Sequence, residues 1–143
     1  MTSTTDGPSQ VSWIEAVHQP EGVLAVFGGA APPLTRVELH SVTLGRGDVA
    51  LVFDLHDYPR DPPAKWAAQG FNTVQLTLAC THVRDVRLTG WGNQITADVA
   101  VERLEHGVAV GVHSPATALS LTADIVSVAK VAAYLNDPGS ACW

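Results

Sequence analysis

A chain of 143 residues, 46% apolar and only 15% charged, has enough apolar material for one buried core without disulfide or metal staples and is short for two. Fourteen acidic against eight basic residues leave a formal charge of −6, which opposes binding to phosphate backbones or anionic lipid and admits a basic protein partner. The first basic residue is Arg36, and no basic lead into an apolar run with a small-residue cleavage site precedes it, so a soluble, cytoplasmic protein is expected.

The opening MTSTTDGPSQ is polar and punctuated; residues 1–11 are expected to be a tail, 12–136 a single β-rich domain and 137–143 a second tail. Ser12 is placed as an N-cap with Glu15 three residues on, which predicts a short helix carrying Trp13, Ile14 and Val17 inward. Pro20 ends it, a second helical turn is expected over Glu21–Phe27, and GGAAPP forces an irregular crossing. The uncharged run Gly22–Thr35 is too short and too broken by glycine and proline to span a bilayer.

From Arg36 the period becomes two. Val37 and Leu39 alternate with Glu38 and His40, but Val42 and Leu44 carry the apolar side beyond Ser41, which predicts a bulge or a change of sheet. Strands are expected at Val49–Leu55, Val74–Cys80, Val86–Leu88, Ile95–Val101, Val108–Val112 and Leu119–Leu121, joined by turns such as GRGD, GWGN and LEHG. The segment ADIVSVAKVAAYL is read as a strand through about Val128, then a short helix or loose tail. The spacing leaves no room for crossover helices. The fold class is therefore mainly β: an antiparallel β-sandwich or strongly twisted sheet of about seven to eight strands, with one or two short N-terminal helices.

No catalytic constellation stands out. Cys80 points inward by parity, no GxSxG occurs, and the glycine-bearing loops lack the strand, turn and helix order that cradles phosphate. Cys80 and Cys142 show no redox or metal spacing, and HxH, HExxH and HxxxH are missing, so no metal and no cofactor is assigned. His40 and His56 do fall on the polar phase of strands beside Glu38 and Asp54. A metal- or small-molecule-binding protein or enzyme using His40, Asp54 and His56 is the alternative reading, and it requires these side chains to converge in a pocket.

The stretch DLHDYPRDPPAKW concentrates the recognition candidates: Asp54, His56, Asp57 and Asp61 as an acidic rim, with Lys65 and Trp66 presented behind two stiffening prolines. Trp91, between glycines in TGWGN, is the second exposed-ring candidate. Rings of this kind either cap a core or anchor an interface. Gly70 allows a tight turn that returns Phe71 and Val74 to the core.

The order of SWIEAV, AVFGGAAPPL, LVFDLHDYPRDPPAKW, FNTVQLTL and LTGWGN resembles the bacterial immunity protein 50 family, from about Trp13 to the final strands. The resemblance implies a cytoplasmic, β-rich protein that neutralises a cognate polymorphic toxin by binding it, with no catalytic residues to carry over. The acidic balance fits a basic toxin domain such as a nuclease, with no nucleic acid or membrane partner for the protein itself.

Overall fold

A computed structural model describes residues 13–136. The expected tails, the Ser12 cap and Cys142 lie outside the described residues. Eight strands, β1 (Val37–Leu44), β2 (Asp48–Asp54), β3 (Thr73–Thr81), β4 (Arg84–Thr89), β5 (Ile95–Leu104), β6 (Gly107–His113), β7 (Ala118–Ala123) and β8 (Ile125–Tyr134), form one open sheet. Every strand pair is antiparallel, in the order β4-β7-β6-β5-β1-β2-β3-β8. The mainly-β expectation is met, in its single-sheet form. The sheet bends over so that β6 approaches β8, and residues from both halves share one core.

Alternation decides which face is buried. In β3, Val74, Leu76, Leu78 and Cys80 are buried while the residues between them are half-exposed; β5 repeats the pattern with Ile95, Ala97, Val99 and Val101. Full burial of each such aliphatic side chain contributes about 1.5–3 kcal/mol, so a register slip in either strand would forfeit several at once. Trp13 lies in a 3-10 turn, Trp13–Ala16, packed on β5. Its ring is buried and its indole N–H donates to the Pro32 carbonyl at 2.9 Å, which ties the proline crossing to the core.

The predicted phase break in β1 is a bulge. Leu39 pairs with Phe53 and Ser41 with Val52, leaving His40 as the extra residue. A second bulge was not foreseen. In β8, Val128 pairs with Leu78 but Lys130 pairs with Thr77, so Ala129 is extra. Beyond it the inward positions pass from Val126 and Val128 to Val131 and Ala133, and Tyr134 lands on the outer face opposite Thr73. This corrects the expected end of the strand near Val128. The phase break that looked helical in one dimension is absorbed by the bulge, and β3 supplies ladder partners up to Tyr134.

The helices also differ from expectation. Glu21–Val26 forms α1, near the predicted turn, but another helix, α2 (Ala64–Gln69), sits in the proline-rich connection, where the sequence predicts only loop. Pro63 precedes its first residue, where a missing N–H costs no hydrogen bond, and Gly70 closes it in the left-handed conformation with φ 69°. The β4–β5 loop depends on glycine in the same way. Gly90 has φ 78°, and a Cβ there would stand 1.8 Å from the Ala116 carbonyl oxygen.

Candidate functional site

The residues that converge lie at one end of the sheet, on the face opposite the core. Glu38, Asp54, Gln75 and Ala132 are in register across β1, β2, β3 and β8. The bulge at Ala129 brings Tyr134 onto this face, and His40, the bulged residue of β1, turns its ring to Asp54. Two irregularities in strand pairing thus assemble one polar cluster.

Asp54 is its centre. His40 Nε2 lies 2.7 Å from Asp54 Oδ2, Gln75 Nε2 donates to Oδ1 at 3.1 Å, and the Tyr134 hydroxyl donates to Oδ2. A carboxylate only accepts, so the shared His40 nitrogen carries the proton and the ring's other nitrogen is left to the outside. The Asp54 side chain is only 6% exposed, whereas that of His40 is 46% exposed. Burial, and then the hydrogen bond to Asp54, push the Tyr134 hydroxyl well above its ordinary pKa, so it is a neutral donor. Among the described residues no lysine or arginine makes a salt bridge to Asp54.

Above this cluster opens a cleft of about 550 Å³. Glu38 and His40 form one side, Tyr134 and Asn136 another, and the β4–β5 loop supplies Trp91, Asn93 and Gln94. Glu38 is steadied by the Thr96 hydroxyl, which donates to its Oε2. Trp91 is 52% exposed, a large ring left uncovered beside polar walls. Asn136 is fixed by reciprocal bonds with Asn72: its N–H donates to Asn72 Oδ1 at 2.9 Å, and Asn72 Nδ2 donates to its carbonyl at 3.0 Å.

The predicted recognition residues do not lie together. Asp54 is not an exposed rim acid; it is buried, because Tyr134, Gln75 and His40 cover it. Trp66 is half-buried and packs on the core from α2. His56, Asp57, Asp61 and Lys65 are exposed on the connection that leaves β2 just past Asp54 and returns into β3. Glu38 figures in the sequence only as a carboxylate beside His40, and Gln75 and Tyr134 are not singled out there as site residues. The polar phase of β1 and β3 marked the first two, while Tyr134 fell in the segment read as helix or tail.

Chemically the cluster is a set of hydrogen bonds gathered on one buried carboxylate. His40 and Asp54 converge, but His56 is not among the cleft's lining residues. Among the described residues no group of three or more His, Cys, Asp or Glu side chains is arranged to hold a metal ion. The Cys80 thiol, raised to about 11 by burial, sits in the core away from the cleft. No helix of the described residues is long and apolar enough to cross a membrane.

The Immunity protein 50 family model matches residues 19–134, which takes in every strand of the sheet. The chain belongs to the immunity protein 50 family. The matched span contains Glu38, His40, Asp54, Trp91 and Tyr134, so the cleft is built almost wholly from the family's own domain. No curated protein and no solved structure matches the chain.

Proposed function

We propose that this protein works in the cytoplasm as a stoichiometric inhibitor, binding a cognate secreted toxin domain and carrying out no reaction of its own. Family membership is the observation that carries this reading. The surface supports it. An open polar cleft with an uncovered indole, and an acidic connection bearing Asp57 and Asp61, both sit at the end of the sheet where β2 finishes and β3 begins. A formal charge of −6 favours a basic partner and speeds its encounter. A nuclease meets that description, because a cleft shaped for phosphates is itself basic and an acidic protein competes for it.

The test is growth rescue and co-purification with the toxin domain encoded beside the gene. Co-expression should protect cells, and the two proteins should elute as one complex. Trp91→Ala and the double variant Asp57→Ala/Asp61→Ala should each weaken the complex while leaving the fold intact. Toxin that kills equally well in the presence of this protein would refute the pairing.

A further inference from the structure

We propose that the cleft beside Trp91 is a guanidinium-binding subsite, which takes an arginine side chain projecting from the protein partner. This deepens the toxin-binding reading above and rests on it for the source of the arginine. Three observations set the ligand chemistry. The two carboxylates at the cleft, Glu38 and Asp54, meet no lysine or arginine among its lining residues. Asp54 is held by donors that are a tyrosine hydroxyl, a glutamine amide and an imidazole, so its negative charge is screened by dipoles but not cancelled by a fixed cation. A cation entering the cleft is therefore drawn towards these carboxylates, through a field that solvent at the open mouth screens in part.

The second observation is shape. The Trp91 ring forms one wall and is 52% exposed, and an aromatic face is where a planar delocalised cation stacks better than a compact ammonium. The third is the supply of acceptors. Glu38 offers a carboxylate, and the Asn93, Gln94 and Asn136 side chains offer amide oxygens around the same opening. A guanidinium has five donors in a rigid fork, and this ring of acceptors matches that excess, whereas an anion would meet carboxylates on approach.

The experiment titrates the full-length protein with N-acetyl-argininamide, reading amide chemical shifts and the tryptophan fluorescence that Trp91→Ala removes from the four-tryptophan signal, beside the lysine analogue and the neutral, nearly isosteric citrulline analogue. Saturable binding of the arginine compound in the millimolar range is expected, at least fivefold tighter than lysine, with citrulline showing none. Glu38→Gln and Trp91→Ala should each weaken it at least fivefold. Glu105→Gln, the same charge change on the exposed β5–β6 turn, should leave it unaltered. Equal binding of arginine and citrulline, equal binding of arginine and lysine, or no weakening by Glu38→Gln overturns the proposal. If argininamide fails to bind while cells are still rescued from the toxin, the subsite alone is wrong. If it binds as described and no rescue occurs, the toxin reading is the one that fails.

Discussion

Asp54→Ala is the sharpest test of how the sheet end is held together. The substitution removes an acceptor that serves three donors: Gln75 on Oδ1, with His40 and Tyr134 on Oδ2. His40 is nearly half exposed and can turn to water at little cost. The Gln75 amide and Tyr134 hydroxyl are half-buried and lose their partner, at about 1–3 kcal/mol each. Removing a buried charge returns part of this, because its desolvation no longer has to be met. The expected net loss is about 2–4 kcal/mol. In equilibrium urea unfolding, with a slope of about 1–3 kcal/mol per molar, the midpoint should fall by roughly 1–2 M at unchanged slope. Tyr134→Phe should cost less, about 1–2 kcal/mol, since Asp54 keeps two donors. The double variant should lose less than the sum, because both single changes delete one shared bond. A loss below about 0.5 kcal/mol for Asp54→Ala, or strict additivity with Tyr134→Phe, would show that Asp54 does not anchor β8, and the account of the second bulge would fall with it.

Alkaline pH gives a separate test. The folded Cys80 thiol ionises near 11 against an ordinary value of 9.0, so its contribution is complete below pH 9 and is lost as the pH rises towards 11, by about 2 kcal/mol at that point. Tyr134, also raised, adds to the loss in the same direction above its ordinary value of 10.0, and Cys80→Ala should flatten the lower part of the curve. Gly90→Ala should destabilise by several kcal/mol and reorganise the Trp91 loop, visible as a shift of the Trp91 indole N–H resonance, because the added Cβ meets a backbone oxygen and φ is positive. Deleting Ala129 removes the one unpaired residue and leaves Lys130 opposite Thr77, Val131 opposite Leu76 and Tyr134 opposite Thr73, so cooperative unfolding with a midpoint near that of the wild type is expected; loss of cooperative unfolding would contradict the bulge.

Much of this protein was legible in one dimension. Strict alternation in 74–80 and 95–101 specified two strands and their buried faces, because a period of two admits only one way to hide four apolar side chains. The phase slip at Ser41 announced the bulge. Cys80 was inward by parity and is buried. The proline-rich connection was recognised as the return to β3, but its helix was not, since AKWAAQ is too short for periodicity to declare itself without the Gly70 cap and the packing of Trp66 on the core.

Asp54, read from its strand phase as a solvent-facing acid, shows where one dimension stops. Its burial depends on Tyr134, eighty positions away, and Tyr134 reaches it only because β8 carries an extra residue opposite β3. Local pattern records which face a side chain leaves from. Whether that face is then covered depends on which strand lies beside it, and that is settled by pairing between distant segments. Composition, alternation and turn residues by themselves determined a mainly antiparallel β protein of net negative charge and announced the bulge in β1; the strand order, the bulge in β8 and the cleft under Trp91 were decided by tertiary structure, because each is a relation between residues that meet only when the sheet is complete.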